Sequence, residues 1–175
     1  MKKEPNGIRR SRREPEQLDL FDRKILGALT EDALQSYTAL GKAVNLSPHA
    51  VHERVKRLRR SGVMKGAHAA LDGTALGKPL LAFVHVEAAG WGKSERLMQL
   101  CRFPEVEEMH SVAGDASVIF KVRTESPRAL EAFLSQIHAV PGVTATKSYV
   151  VLSTYLERPV QANMTADWQE NPLPA

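Results

Sequence analysis

At 175 residues the chain has room for one large domain or two small ones, and 43% hydrophobic with 25% charged residues is the balance of a soluble globular protein. The longest apolar run, Leu80 to Val84, is far below the ~20 residues that cross a bilayer, and the basic N-terminus has no apolar stretch behind it to make a signal peptide. A single cysteine, Cys101, excludes an internal disulfide framework and fits a cytoplasmic protein.

The net charge of +4 is unevenly placed. Residues 1–72 hold 15 Lys/Arg against 9 Asp/Glu, whereas residues 73–175 hold 9 against 11. A basic first half beside a slightly acidic second half points to a polyanion for the first half alone. The alternative is a chance imbalance of solvated charges.

Residues 1–16 are polar, with two prolines and no apolar period, and read as a disordered basic arm whose Arg9, Arg10, Arg12 and Arg13 could enter a minor groove. "LDLFDRKILGAL" follows, with Leu18, Phe21, Ile25, Leu26 and Leu29 as the apolar stripe of a helix. A second helix is predicted from an N-cap at Ser36 through Tyr37, Leu40 and Val44. Asn45 tolerates a left-handed turn, and Ser47-Pro48 is a cap followed by proline at the first helical position. The third helix then runs from Pro48 to about Arg60 and stops at Ser61-Gly62. "GVMKGAHAALD" reads as a short ribbon, completing a domain over 17–72.

A linker over 73–79 leads to a region of another rhythm. "PLLAFVHVEA" is strand-like. "SERLMQLCRF" is helical, with Leu97, Leu100 and Cys101 on one face, so that Cys101 is expected to be a small buried hydrophobe. "EVEEMHSVA" and "ASVIFKVR" are strands joined through Gly114-Asp115. "SPRALEAFLSQIHAV" starts a helix whose buried stripe is Leu130, Phe133, Leu134 and Ile137, and "TATKSYVVLSTYL" is a last strand. The order β-α-β-β-α-β over 80–157 is that of a ferredoxin-like sandwich. Residues 158–175 form a proline-containing tail. The fold class is therefore α+β: a winged helix-turn-helix domain followed by a βαββαβ sandwich.

The third helix carries the chemistry. At ~100° per residue, Val51, Val55 and Leu58 form one narrow apolar side, and the opposite side holds His49, His52, Glu53, Lys56, Arg59 and Arg60. A thin buried stripe under a wide polar face suits a helix that enters a major groove ~12 Å wide. A solvated basic helix shows the same pattern, but a preceding helix and a short turn containing Asn make a helix-turn-helix, whose second helix meets base edges with its N-terminal residues. His49 and His52 are then base-edge candidates, and Lys56 reaches a base or a phosphate. Arg54, Arg57 and Arg60 are phosphate candidates, and Lys65 with His68 could touch the flanking backbone. Ser36, Ser47 and Pro48, at the starts of the two helices, complete the residues assigned to double-stranded DNA.

Other chemistries find little support. His49-x-x-His52-Glu53 could place two metal ligands on one helix face, but no third ligand is apparent. There is no phosphate-cradling glycine loop, no nucleophile elbow and no evident carboxylate pair, so no catalytic residue and no cofactor are assigned. His85 is expected at an interface or in the core. His110 is expected to close a buried hydrogen bond or to line a ligand site.

Three stretches together resemble the Lrp/AsnC, or feast/famine, family of transcriptional regulators: "LDLFDRKILGAL", "LGKAVNLSPHAVHERVKRLRRSGVMKG", and "MHSVAGDASVIFKV" with "VPGVTATKSYVVLS". The resemblance spans about Leu18 to Leu156. It implies a second domain that dimerises and assembles further, often to an octamer, with an amino acid or related small molecule bound between dimers. The residues implied for that site are Ser111, Ala113, Gly114, Asp115, Ala116 and Ser117, with Thr144, Thr146 and Ser148 opposite. Backbone N–H groups at a glycine turn can take a carboxylate, and an acidic side chain can pair with an ammonium. The loop departs from the family's usual glycine, two variable residues, aspartate: Ser117 stands at the fourth position, and Asp115 lies two positions earlier, where it can equally serve the turn. Two other readings share the architecture, a sirohaem-decarboxylase-like enzyme and a ligand-binding or assembly module that does not bind DNA.

Overall fold

A computed structural model describes residues 16–89 and 95–162. The basic arm, apart from Glu16, and the tail from residue 163 lie outside them. The chain divides into two compact units, one comprising residues up to Ala69 together with the segment from Arg158, the other Ala70–Glu157.

In the first unit the opening helix begins later than the apolar stripe implies. Asp19 caps α1 (Leu20–Glu31), accepting from the backbone of Asp22, while the Asp22 side chain accepts from the backbone of Asp19. This reciprocal capping box leaves Leu18 outside the helix. α2 (Tyr37–Val44) starts on Ser36, whose hydroxyl accepts from Ala39 N at 3.1 Å, and ends on Asn45 at φ 57°, ψ 46°, the left-handed turn predicted there. α3 (Pro48–Arg60) starts on Ser47 with proline in its first turn. Ile25, Leu40, Val44, Val51 and Val55 form the core, with Leu29, Leu46 and Met64 packed against it.

The turn between α2 and α3 depends on Gly41, which is buried. A Cβ there would lie 2.5 Å from Leu46 O, the chain segment that donates Leu46 N back to Gly41 O. After α3 the ribbon expected over 62–72 is not formed: the segment contains turns and no strand. Met64 N instead bonds back to Leu58 O, and Gly62 takes φ 81°. The physical reason is composition. Ala67, Ala69 and Ala70 have little β propensity, and a lone two-stranded ribbon without an apolar face is marginal.

The second unit opens on a turn in which Asp72 Oδ1 accepts from Thr74 N and Ala75 N. β1 (Leu80–Ala88) follows, then α4 (Glu95–Gln99) continued by a 3-10 turn (Leu100–Arg102), β2 (Val106–Ser111), β3 (Val118–Thr124), α5 (Pro127–His138) and β4 (Val143–Val150). The sheet is antiparallel in the order β2-β3-β1-β4. Alternation assigns its two faces. Ala82, Val84 and Val86 with Val118, Phe120 and Val122 pack on Leu97, Leu100, Leu130, Phe133 and Ile137 of the helical layer. Phe83, His85, Ile119, Lys121, Arg123, Lys147 and Tyr149 occupy the other face, which no helix of this unit covers.

Cys101 is a correction. It is exposed, with its sulfur against Met109 Sδ. The helix tightens to a 3-10 turn at Leu100, which changes the angular step per residue and carries Cys101 off the face shared by Leu97 and Leu100. Among the described residues no helix is long and apolar enough to cross a membrane.

Candidate DNA interface and ligand loop

On α3 the structure buries Val51, Val55 and Leu58 and leaves His49, His52, Glu53, Lys56, Arg59 and Arg60 exposed. His52 rests edge-on against Tyr37 of α2, with ring centroids 5.4 Å apart, and its Nδ1 is 3.1 Å from Glu53 Oε1. These contacts fix the imidazole at the start of the polar face. Ser36 and Ser47 use their hydroxyls as caps. Pro48 and Lys65 are exposed.

Two of the arginines read as phosphate contacts are engaged elsewhere. Asp22 is fully buried, and its carboxylate accepts from Arg54 Nη1 at 2.8 Å and from Arg57 Nη2 at 2.5 Å. Arg54 Nη1 also donates to Asp19 Oδ2 at 2.6 Å, and its guanidinium lies 5.5 Å from the centre of the Phe21 ring. Glu16 Oε1 lies 3.1 Å from Arg57 Nε, an ion pair rather than an aligned hydrogen bond. The Asp22 backbone N–H and then Arg54 hold the Asp19 carboxyl below the usual carboxylate range, while Asp19 and Asp22 raise the Arg54 guanidinium. The sequence marks these arginines as phosphate candidates and gives no sign of their partners, 32 to 35 residues away. The Asp19-x-x-Asp22 spacing is a capping-box signal, and only that half of the arrangement was open to sequence reading.

In the second unit the loop after β2 is exposed at Ser111, Ala113, Gly114 and Asp115, while Ala116 is buried. Ser117 Oγ contacts the backbone N and O of Ala88 at 3.3 Å, so this hydroxyl ties the loop to the end of β1. β1 lies between β3 and β4. Thr144, Thr146 and Ser148 alternate on the helix-facing side of β4, and Thr146 Oγ1 meets His138 Nε2 at 3.0 Å. Asp115 approaches the opposite side of the strand, 3.8 Å from Lys147 Nζ, which is itself 3.5 Å from Glu87. The structure thus joins Asp115 to Lys147, a residue sequence reading did not select. It does not bring the loop and the three hydroxyls to one surface of a single chain. His110 is exposed and paired with Glu108 Oε2 at 2.8 Å, so the buried hydrogen bond considered for it is not present. Among the described residues no group of three or more His, Cys, Asp or Glu side chains is placed to hold a metal ion.

Comparison with known proteins places both units. Residues 18–59 match the AsnC-type helix-turn-helix domain, and residues 81–161 match the Lrp/AsnC ligand-binding domain. The chain belongs to the Lrp/AsnC family of transcriptional regulators. One relative within it, the HTH-type transcriptional regulator FL11 of Pyrococcus horikoshii, is 36% identical over 140 residues, covering 80% of this chain and 93% of that protein. The leucine-responsive regulatory protein of Salmonella typhimurium is 35% identical over 140 residues, covering 77% and 85%. Among solved structures, the AsnC of E. coli superposes with a TM-score of 0.75 at 26% identity, covering 83% of this chain and 99% of that one. Family membership accounts for a helix-turn-helix domain followed by a ligand-binding second domain. The Arg54 and Arg57 contacts and the Lys147 contact are properties read from this chain's own side chains.

Proposed function

We propose that the chain is a non-enzymatic regulator that acts in the cytoplasm, reads double-stranded DNA with α3 as a homodimer or larger ring, octamer included, and responds to an amino acid or related small molecule held between dimers. The observation that carries the reading is the division of α3 into a narrow buried stripe and a polar face that begins at its N-terminal end. That end is the part of a recognition helix that meets base edges. The contact of His52 Nδ1 with Glu53 favours the tautomer with its proton on Nδ1, leaving Nε2 as an acceptor. An acceptor at this position fits the exocyclic amine of adenine or cytosine in the major groove. Lys56 and Arg59 supply charge for phosphates.

Pairing of two copies is supported by the sheet face that no helix of the unit covers, where Phe83 and Tyr149 are exposed beside Ile119 and charged neighbours. Assembly of pairs would bring a second chain to the Ser111–Ser117 loop and could complete a site that one chain leaves open. A backbone-rich loop for a carboxylate and Asp115 for an ammonium match an amino acid, the class named for the Salmonella relative. The effector acts by favouring one assembly over another, and so one spacing of recognition helices on DNA.

The test is to bind the full chain to fragmented DNA of its source genome, sequence what is retained, and repeat with pooled amino acids. Retention of a defined set of roughly palindromic sites, redistributed by one amino acid, is the expected result. His49→Ala and His52→Ala are then expected to change sequence preference, each costing about 1–3 kcal/mol on the selected site and little on random DNA. Equal loss on both kinds of DNA would remove the base-contact assignment.

A further inference from the structure

The buried carboxylate of Asp22 and its neighbour Asp19 exceed what a helix cap requires. A capping box works with uncharged side chains such as Ser and Gln. Here each of the two carboxylates has a second task. Asp19 Oδ1 takes the Asp22 N–H, and its Oδ2 takes Arg54. Asp22 Oδ2 takes the Asp19 N–H and Arg57, and its Oδ1 takes Arg54. With Glu16 on Arg57, three carboxylates face two of the five cations of α3.

We propose that Asp19 and Asp22 set the non-specific affinity of the regulator by pairing with Arg54 and Arg57, so that α3 meets DNA with two of its five cations already engaged. This rests on the DNA-reading function proposed above. The physical consequence is clearest on random DNA. Non-specific affinity comes almost entirely from cations that release counterions from phosphates, with a salt slope of about 0.9 per contact. Specific affinity adds base-edge contacts, which the side chains at the start of α3 are placed to make and which the clamp does not touch. Pairing two arginines therefore weakens random and correct sites by similar free energies, and the base-edge contacts that remain leave the correct site as the one still held. The same pairs hold α3 against the first turn of α1, so Asp22 is also a positioning residue for the base-reading end.

The experiment uses the full chain and a random-sequence duplex, with binding measured over a range of salt. Asp19→Asn removes one charge and keeps the cap, since Asn is as good an N-cap as Asp. It is expected to tighten random-duplex binding severalfold at low salt and to steepen the log–log salt slope by up to about 0.9. Arg54→Gln alone is expected to leave the wild-type slope unchanged, and in the Arg54→Gln background Asp19→Asn is expected to gain nothing. Thermal unfolding shows that each variant is folded at the temperature of measurement. A slope flattened by about 0.9 in Arg54→Gln would mean that the arginine already sits on a phosphate, and overturns the proposal. So does an unchanged slope in the folded Asp19→Asn/Asp22→Asn double variant, which leaves Arg54 neither carboxylate, or a gain that persists without Arg54. A wild-type chain with no salt-dependent affinity would instead overturn the DNA reading itself, a result that the first measurement shows before any variant is made.

Discussion

The helix-turn-helix unit and the sheet unit keep their functional side chains in place by different means. The first has a small core, and α3 contributes only three large apolar side chains to the interior. Its orientation is fixed in addition by a buried carboxylate that bonds two arginines of the helix. The second unit has a continuous core between one sheet face and its helical layer, and it leaves Phe83 and Tyr149 of the other face and most of the β2–β3 loop exposed. The contrast shows where site geometry comes from. In the helix-turn-helix unit the polar face of α3 is arranged within one chain. In the sheet unit Asp115 and the three hydroxyls of β4 lie toward opposite sides of that strand, so one chain does not gather them.

A matched pair of substitutions addresses this contrast most strongly. Phe120→Ala removes a fully buried ring that packs edge-on against Phe133, with centroids 6.0 Å apart, and is expected to cost the sheet unit about 3–5 kcal/mol. Asp22→Ala removes the buried partner of two arginines and is expected to cost the helical unit about 3 kcal/mol, the lower end for a broken buried pair because both guanidinium groups keep some access to water. Calorimetry should show each substitution lowering the transition of its own unit. If both substitutions moved the same single transition, the two units would be one cooperative body and the contrast would not hold.

The next expected effect is smaller and depends on pH. The Asp19 carboxyl is held low by the Asp22 N–H and Arg54. Burial pushes the Glu107 carboxyl up, but Arg123 and Lys121 outweigh it and the net direction is down. A carboxyl depressed in the folded state contributes stability above its ordinary value and loses it as pH falls through the folded value. Both units are therefore expected to weaken below about pH 4. Asp19→Asn should flatten that decline in the helical unit, and Glu107→Gln in the sheet unit. For Lys121, burial lowers the ammonium, and Glu157 with Glu107 outweighs it, so the net direction is up. Its contribution is present at neutral pH and is lost only as pH rises through the folded value, above about 10.5. Unfolding free energy measured from pH 3 to 7, unit by unit, checks the acid arm.

Much of the architecture was legible in the sequence for local reasons. Ser47-Pro48 and Ser61-Gly62 mark α3 because a cap, a proline and a glycine act on their own neighbours. Asn45 was readable as a left-handed residue on the same grounds. Apolar and β-branched content marked β1 and β3, each of which has one face fully buried. What escaped reading was non-local. A helical wheel puts Arg54 and Arg57 on the flank of α3, but it cannot show that a carboxylate from α1 meets them. Gly41 looked like any helical glycine, and only the approach of Leu46 O reveals that a Cβ has no room. Cys101 was misplaced because the change from α to 3-10 geometry at Leu100 carries no residue signal. The loop residues were assigned together through family resemblance, whereas the fold of the sheet brings Asp115 to Lys147 of β4 and the turn from α5 into β4 sets Thr146 against His138.

Asp115 provides the finest probe of the sheet unit. Its side chain is 83% exposed and its partner Lys147 is 55% exposed at 3.8 Å, a separation and exposure at which an ion pair contributes almost nothing. Asp115→Asn is therefore expected to change stability by no more than about 0.5 kcal/mol. Its effect on ligand response should be out of proportion to that. If Asp115 receives the ammonium of an amino acid, losing the charge removes a charge-assisted hydrogen bond to it, and the shift in DNA binding caused by the effector should disappear. If Asp115 serves only the turn, Asn fills the same role and the shift should persist. Measuring the melting transitions and the amino-acid-dependent DNA binding of this one variant separates the two roles, because the first quantity is expected to stay fixed under either and only the second depends on which is correct.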